Sequence, residues 1–380
     1  MKKRKVKKLP FLILLSLIVG IFGSLYLFRG YFLKDIEDNQ PDVLEKEEPK
    51  TKEYSTTFTL GGSVLINSNM WYDTLSDSGY DFEPVFEDLN DIMKKSNLNF
   101  YFQQSIVGDK DLGLSLNYNY NSPKNVVETM SKLGFNMMAL ASYHSYDKGI
   151  EAIKNTVSSV VENNYVYAGV NDTSENRLKN NIIEKNGLKI AILSYTLGTD
   201  EIVHNQFSVD VYTDDLVKTD VDKIKNDVDV IMVHIDWSSI KSQEVTEEQK
   251  RIANYLSSLG VNVVVGNTGY TIQPIEMIND TLVCYSLGNL LSGHYAVDSR
   301  ISAVVDFNLK VSKSLTEKKV TFEDISVLFT YAYNQDNVAY KVIPFTKLTS
   351  ELVNYKSYYE KYKTLLSNDD LNINFYSIGE

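Results

Sequence analysis

The sequence predicts a layered α/β fold that follows one hydrophobic, membrane-spanning segment. From residue 54 onward, short apolar runs alternate with amphipathic stretches, and this β-α-β order with a β-rich end is typical of layered α/β proteins. Ahead of them, residues 9–28 carry no charge. Because about 20 apolar residues cross a ~30 Å hydrocarbon core as a helix, this segment is long enough to span a bilayer.

The residues that flank the apolar segment predict its orientation. Residues 1–8 contain six Lys and Arg residues, and the positive-inside rule therefore places them in the cytoplasm and the rest of the chain outside the cell. A cleaved signal peptide, the alternative, has a shorter apolar stretch and small residues at the cleavage site. Here the run ends in Tyr26, Leu27, Phe28 and Arg29. We expect an uncleaved single-pass anchor that keeps the protein at the cell membrane.

Charge and cysteine content narrow the class of partners. The chain has a net charge of −12, and its outer part is more acidic still once the cations of residues 1–8 are set aside. This acidity argues against nucleic acid and anionic lipid as partners of the outer domain. The single cysteine, Cys284, lies in an apolar run and is predicted to be buried. No intramolecular disulfide can form, which fits a Gram-positive surface better than a disulfide-rich secreted scaffold.

The outer part of the chain divides into three segments. Residues 29–53 are polar and charged, which indicates a flexible stalk. A main domain is expected at residues 54–310, and a C-terminal strand and helix extension at residues 311–380. Apolar runs rich in Val, Ile and aromatic residues predict strands at residues 57–66, 98–106, 137–141, 189–195, 228–234, 261–265, 282–285, 301–311 and 320–331.

Periodicity and end signals predict the helices between these strands. Phe86, Leu89 and Met93 recur at helical spacing. Ser122 and Pro123 suit the N-cap and the first position of the next helix, and Gly260 suits the end of a later one. The predicted helices cover residues 86–95, 123–133, 150–163, 215–227, 247–259 and 345–366.

Several loops between these elements carry motifs in a recognisable order. They are Gly61 to Asn67, Tyr80-Asp81-Phe82, residues 98–108, Asn121-Ser122-Pro123, residues 133–136, residues 141–149, residues 229–237, residues 266–276 and Tyr285-Ser286-Leu287-Gly288-Asn289. Together they resemble the CapA (PgsA-like) poly-γ-glutamate capsule biosynthesis family, over roughly residues 55–310. That family has the calcineurin-like metallophosphoesterase fold, so the resemblance implies a metallophosphoesterase-like α/β sandwich.

The chain departs from the family pattern at the positions that the resemblance assigns to metal ligands. Neutral residues stand at most of them: Ser63, Asn67, Phe102, Gln104, Tyr143, Ile240, Asn267, Thr268, Gly269 and Tyr270. Asp236 replaces a histidine, and only His144 and Asp147 keep the family identity. Divalent ions in a hydrolase need charged oxygens and neutral imidazoles, which these neutral residues do not supply.

The resemblance and its departures give the expected site. The catalytic candidates are His144, Asp147 and Asp236. No cofactor is expected beyond a single weakly bound divalent ion at His144 and Asp236, and the alternative is that these two residues form only local hydrogen bonds. His234 and Asp236 would share one face of a strand, as a structural polar pair or as a ligand pair. The predicted ligand-binding cleft consists of Ser63, Asn67, Gln104, Tyr143, His144, Asp236, Asn267, Thr268, Tyr270 and Asn289.

These expectations describe a membrane-anchored, extracytoplasmic, CapA-like protein of capsule, poly-γ-glutamate or related envelope-polymer biosynthesis. A cleft of neutral polar residues and tyrosines can bind a ligand without catalysis. We therefore expect a pseudoenzyme that binds the polymer or capsule-synthesis subunits. The alternatives are a divergent metal-dependent hydrolase or transferase and a surface interaction module. If the alignment of motifs is correct, Ser63, Gln104, His144, Asp236 and Asn267 converge at the strand ends.

Overall fold

The computed structural model describes residues 16–29, 51–116, 118–179, 181–204, 207–238 and 241–379. Residues 16–29 form helix α1, whose side chains are exposed. No helix within these described ranges has both the length and the hydropathy that a membrane crossing requires. The predicted cytoplasmic segment, the first part of the predicted anchor and residues 30–50 of the predicted stalk lie outside the described residues, so those assignments stay predictions. Residues 51–380 form one compact unit.

This unit contains most of the predicted elements with adjusted ends. The strands are β1 (Lys52–Val64), β2 (Leu75–Ser76), β3 (Gly79–Tyr80), β4 (Leu98–Gln103), β5 (Met137–Ala139), β6 (Val166–Ala168), β7 (Ile182–Lys185), β8 (Leu188–Thr196), β9 (Val230–Asp236), β10 (Val263–Asn267), β11 (Ile272–Ile278), β12 (Thr281–Leu287), β13 (Asn289–Leu291), β14 (Ile301–Lys313), β15 (Lys318–Gln335), β16 (Val338–Pro344) and β17 (Asn374–Phe375). The helices are α2 (Ser68–Asp73), α3 (Glu83–Phe86), α4 (Asn90–Met93), α5 (Asn125–Leu133), α6 (Gly149–Glu162), α7 (Asp214–Ile224), α8 (Glu247–Ser258) and α9 (Tyr355–Leu366).

Two sheets face each other and confirm the layered α/β class. One has the order β16-β15-β14-β1-β4-β5-β6, with β13 paired to β1 and β17 to β15, and the other has the order β11-β12-β10-β9-β8-β7. Side chains such as Phe58, Phe100, Met232 and Cys284 fill the core that both sheets share. The outer faces are covered separately, because α5 and α6 pack on the first sheet and α7 and α8 on the second.

The carboxyl ends of the parallel strands from both sheets meet at one edge. Gly288 joins β12 of the second sheet to β13 of the first, and its carbonyl accepts a hydrogen bond from the Ser63 amide at the end of β1 (3.1 Å). The Asn267 amide group at the end of β10 donates to the same carbonyl (2.8 Å). Ligand sites in α/β proteins form where strand ends converge in this way, so the topology singles out this edge.

Some predicted elements are wrong in extent. Helix α5 begins at Asn125 after Lys124, because the Ser122 hydroxyl bonds to Ser105 (2.7 Å) instead of capping the helix, and Pro123 precedes it. The helix predicted at residues 86–95 is broken into α3, a 3₁₀ turn and α4. The helix predicted at residues 345–366 begins only at Tyr355, since Asn354 adopts a left-handed conformation (φ 59°) that ends helical propagation.

The predicted segment boundaries also differ from the structure. Strand β1 begins at Lys52, so the last two residues of the predicted stalk lie in the first sheet. The boundary predicted at residue 310 falls inside β14, where Lys310 pairs with Thr321 of β15. The predicted C-terminal extension is therefore part of the same sheet as β1, and it contributes β16 and β17, which no sequence signal indicated.

Candidate functional site

A cleft of about 330 Å³ opens at the edge where the strand ends converge. Its walls are mainly aromatic and polar, and they come from the loops that follow β1, β4, β5, β8, β9 and β10, with Tyr118 and Tyr120 before α5 and His294 after β13. The lining residues are Leu65, Gln104, Tyr118, Tyr120, Tyr143, His144, Asp200, Ser238, Gly269, Tyr270 and His294.

His144 and Asp147 form a dyad in the loop between β5 and α6. His144 Nδ1 lies 3.0 Å from Asp147 Oδ2, and the Tyr120 amide donates to the same carboxylate oxygen (2.7 Å). The Tyr120 ring packs edge-on against the imidazole, with 4.5 Å between centroids. Asp147 is buried, and its Oδ1 has no hydrogen-bond partner among the described residues. The dyad therefore orients the imidazole at the cleft wall and leaves one buried carboxylate oxygen free for an additional donor.

Asp236 lies beneath the cleft and holds the loop that carries Tyr143. Its Oδ2 accepts hydrogen bonds from the Tyr143 amide (2.7 Å) and the Thr196 hydroxyl (3.3 Å), and its Oδ1 accepts one from the Ser238 amide (3.0 Å). Burial raises the pKa of Asp236 to about 6, although these hydrogen bonds oppose the shift. The side chain is fully buried and does not line the cleft.

The predicted pair of His234 and Asp236 does not form. His234 Nδ1 lies instead 3.2 Å from the Ser194 hydroxyl, and its ring packs against Phe102 with 4.3 Å between centroids. Both side chains point to the same face of β9, as predicted, but His234 lies in the core between the sheets. Neither a structural pair nor a ligand pair of these two residues is present.

Four of the predicted cleft residues form a buried floor below the lining. Ser63 donates to the Asn289 side-chain oxygen, and the Asn289 amide group donates to the carbonyls of Gly269 (2.8 Å) and Ser299 (2.8 Å). The Thr268 hydroxyl donates to the Thr271 carbonyl (3.3 Å). With Asn267, which binds the Gly288 carbonyl, these side chains are fully buried. They tie the strand ends together and do not reach the cleft space.

The resemblance implies divalent ions at these strand ends, and the residues present do not fit a two-ion centre. Asn267 and Asn289 direct their amide nitrogens to backbone carbonyls, and Asn67 uses its side-chain oxygen to cap α2 (3.1 Å to the Met70 amide). Both oxygens of Asp236 accept protein hydrogen bonds. Neutral amides and hydroxyls cannot offset the dehydration of a divalent ion.

A different group of side chains is close enough to hold one cation. His144, Asp147 and Asp200 each place a ligand atom within 4.8 Å of the others. Asp200 follows β8, and its hydrogen bond to the Tyr143 hydroxyl raises the pKa of that tyrosine. Asp236, the predicted partner of His144 for an ion, is not part of this group. The geometry thus replaces the predicted pair by a triad at the cleft wall.

The predicted site residues lie near this edge, but only some of them line the cleft. The five residues expected to converge lie at one edge of the sheets. Of the ten predicted cleft residues, however, only Gln104, Tyr143, His144 and Tyr270 line the cleft. The remaining lining residues were missed, although Tyr118 and Tyr120 immediately precede the Asn121 motif and His294 follows the Asn289 motif. Extending each motif by a few residues of its loop would have included these three side chains.

Comparison with known proteins assigns the chain to a family. The model of one family, described as bacterial capsule synthesis protein PGA_cap, matches residues 57–294, which is more than half of the chain. The chain belongs to the PGA_cap family. Every residue that lines the cleft lies within the matched segment of this PGA_cap chain. The resemblance to the CapA capsule biosynthesis family is therefore confirmed.

Individual relatives are similar to this PGA_cap chain at low identity. PGA biosynthesis protein CapA of Bacillus subtilis (strain 168) is 24% identical over 280 residues, which cover 70% of this chain and 71% of the relative. Capsule biosynthesis protein CapA of Bacillus anthracis is 22% identical over 272 residues, or 67% of this chain and 64% of the relative. A solved putative 5'-nucleotidase from Staphylococcus aureus in complex with alpha-ketoglutarate superposes with a TM-score of 0.44 at 12% identity, covering 81% of this chain and 58% of that chain.

Proposed function

We propose that this PGA_cap chain works in the biosynthesis of capsule, poly-γ-glutamate or a related envelope polymer by binding the polymer in the cleft without turning it over. Family membership supports the capsule role. In this proposal, residues 9–28 anchor the protein in the cell membrane, residues 30–51 form a stalk, and the globular domain faces outward, where an exported polymer emerges. The partners are the polymer and the capsule-synthesis subunits that deliver it.

The composition of the cleft walls is the observation that carries this proposal. Tyr118, Tyr120, Tyr143 and Tyr270 supply aromatic faces with hydroxyl groups, which suit an extended polar chain. Tyr118 leaves 82% of its surface exposed at the rim, so it is free to pack against a ligand. Gln104 is buried, and its Oε1 has no hydrogen-bond partner among the described residues. A polymer with N–H groups would satisfy this acceptor.

The hydrogen bonds of Asp236 and of the floor residues support a cleft that binds its ligand without turnover. Asp236 is tied to two backbone amides and a hydroxyl, so neither of its oxygens is free to activate a water molecule. The floor residues Ser63, Asn267 and Asn289 are buried and bonded to one another or to the backbone. His144, backed by Asp147, and Asp200 lie at the cleft wall, where Asp200 already accepts a hydrogen bond from the Tyr143 hydroxyl, and the proposal assigns these groups to ligand binding.

Replacing cleft tyrosines tests polymer binding. Tyr143→Ala and Tyr270→Ala are each expected to weaken the binding of γ-linked glutamate oligomers by about two- to tenfold, because an aromatic contact contributes about 0.5–1.5 kcal/mol. Calorimetric titration of the purified protein measures the change. Tyr72→Ala is the matched control, since Tyr72 is also exposed but does not line the cleft. Equal affinities in all three variants and the wild type would contradict the proposal.

A second candidate function rests on the triad of His144, Asp147 and Asp200. Two carboxylates and one imidazole can bind a single divalent ion, and such a site would suit a divergent metal-dependent hydrolase or transferase. This candidate differs from the first in one measurable respect. A catalytic protein would bind metal stoichiometrically and lose turnover when the triad is changed.

Metal analysis separates the two candidates. The binding proposal predicts less than one equivalent of Mn, Fe or Zn per chain after dialysis, and no phosphoester or polymer hydrolysis above that of an Asp200→Asn variant. The variant is a suitable control because Asp200 is exposed and its replacement by Asn preserves shape. A full equivalent of metal with turnover that Asp200→Asn abolishes would establish the enzyme instead.

A further inference from the structure

A second cavity of about 360 Å³ adjoins the cleft and shares two of its residues. Tyr270 and His294 line both spaces, and their rings lie 5.4 Å apart at 32° to each other. The second cavity is otherwise lined by Lys241, Gln243, Thr271, Tyr295, Ala296, Asp298 and Ser299. Each cavity alone has the volume of a small-ligand site, which is about 300–1,000 Å³. The shared ring pair makes them two compartments of one groove.

The charges in the second cavity favour an anion. Lys241 is exposed, its ammonium group lies 5.0 Å from the Tyr270 ring centroid, and it forms no ion pair with any residue that the structure describes. Asp298 would oppose an anion, but its carboxylate accepts hydrogen bonds from Lys361 (2.7 Å) and from the Tyr362 hydroxyl (2.6 Å). Lys241 is thus a cation whose charge no described carboxylate neutralises by direct contact.

The wall between the two compartments stays neutral at physiological pH. Burial, with a smaller effect of the nearby Lys241 charge, lowers the pKa of His294. A neutral imidazole stacked near Tyr270 can support an uncharged segment of a chain that passes over it. On the far side of this wall the cleft carries the Asp200 carboxylate. The groove therefore changes from acidic at Asp200 to basic at Lys241.

We propose that the second cavity is a subsite for the neighbouring unit of a carboxylate-bearing polymer held in the cleft, with the Lys241 ammonium group binding that unit's carboxylate. This inference rests on the proposed function, because it takes the cleft as the first subsite. Tyr295 would pack against the same unit, since its ring lines the cavity and is 89% exposed. A ligand that fills only the cleft would not reach Lys241.

Ligand length and charge test the subsite. Lys241→Gln is expected to weaken the binding of a γ-linked glutamate hexamer about fivefold, which corresponds to an ion pair of about 1 kcal/mol at an exposed site. Free glutamate, which lacks the length, and a γ-linked hexamer of isoglutamine units, whose α-carboxyl groups are amides, are expected to bind Lys241→Gln and wild type alike. Tyr295→Ala should weaken hexamer binding about twofold or more through the lost aromatic contact.

A remote lysine provides the control. Lys319 is exposed and lies opposite Ser312 where β15 pairs with β14. Ser312 in turn lies opposite Glu53 near the start of β1. Ser63 lies ten residues further along β1 at the cleft edge, so Lys319→Gln removes the same charge about 30 Å away. We expect it to bind the hexamer like the wild type. Addition of salt should reduce the difference between Lys241→Gln and Lys319→Gln.

The outcomes distinguish the inference from the function on which it rests. If the wild type does not bind the glutamate hexamer, the proposed function fails and the subsite fails with it. If the wild type binds but Lys241→Gln binds equally well, the subsite is wrong while the function stands. Equal losses of affinity for the isoglutamine and glutamate hexamers would show that Lys241 does not act through a carboxylate. If Lys241→Gln weakened the binding of glycerol phosphate oligomers alone, the anion that Lys241 binds would be a phosphate, and the proposal would be overturned.

Discussion

Gly266→Ala is expected to destabilise the domain by at least about 3 kcal/mol, because overpacking against buried backbone is among the most costly single changes. A Cβ at this position would lie 2.0 Å from Trp237 Nε1 and 2.3 Å from the Tyr285 carbonyl oxygen. Those two groups form a hydrogen bond with each other (2.6 Å), and both residues are buried. Chemical denaturation of the purified protein, followed by the fluorescence of its two tryptophans, Trp71 and Trp237, measures the change.

Gly198→Ala is the matched control for this prediction. No atom of the described residues lies within 4 Å of a Cβ at Gly198, so the substitution should change stability by no more than about 0.5 kcal/mol. Equal denaturation midpoints for the two variants would show that the approach of Trp237 to Gly266 is not tight. The stability difference between the two variants bears on the cleft, because Gly266 immediately precedes Asn267 in β10 and fixes where that floor residue lies.

Gly62, in strand β1 of the first sheet, likewise leaves no room for a side chain. A Cβ at Gly62 would lie 2.2 Å from the Gly288 carbonyl oxygen, which is the atom that binds both Ser63 and Asn267. The convergence of the two sheets therefore depends on backbone that approaches without side chains. Sequence analysis placed both glycines in motif segments, but the close approach of Gly62 to Gly288 joins residues more than 200 positions apart and is visible only in the fold.

The central strands and helices could be predicted because their signals are local. Strand β9 begins with the apolar run of residues 230–233 and is buried along its whole length, and helix α8 has helical spacing and a glycine after its end. Strand β5 was predicted although it has only three residues, whereas β6, which is equally short and is held by its neighbours, was missed. The start of α9 was missed because the left-handed conformation of Asn354 has no strong signal in the sequence.

The cleft lining could be predicted only where a motif residue itself faces the opening. His144 and Tyr143 do so, whereas Asp236 turns toward the amide of Tyr143 and becomes a support for the loop. Asp200 reaches the wall because its amide donates to the Tyr143 carbonyl (2.8 Å), a contact between loops that follow strands of different sheets. Such contacts depend on tertiary packing, so motif order alone could not assign them.

His234→Gln is expected to make the domain more resistant to acid than the wild type. His234 is fully buried, and burial lowers its pKa to about 3 from a value of about 6.5 in the unfolded chain. As the pH falls, the His234 imidazole is therefore protonated in the unfolded chain before it is protonated in the folded one. The stability that the neutral imidazole provides is complete above pH 6.5 and is lost as the pH falls toward 3. At pH 4 the wild type should lose about 3 kcal/mol that the His234→Gln variant retains, because a glutamine side chain does not titrate.

Comparing the stability of His234→Gln with that of the wild type at each pH separates the effect of His234 from that of carboxyl groups that titrate in the opposite sense. Burial raises the pKa of Asp210 and of Asp236 to about 6, so the folded state gains those protons first and is stabilised as the pH falls from about 6 to 4. Both carboxyls are present in both proteins, and their contributions cancel in the difference. Urea denaturation at pH 7 and pH 4 should show a stability difference between variant and wild type that grows with acidity. A difference independent of pH would mean that His234 accepts a proton inside the folded core, for which Nε2 has no partner among the described residues.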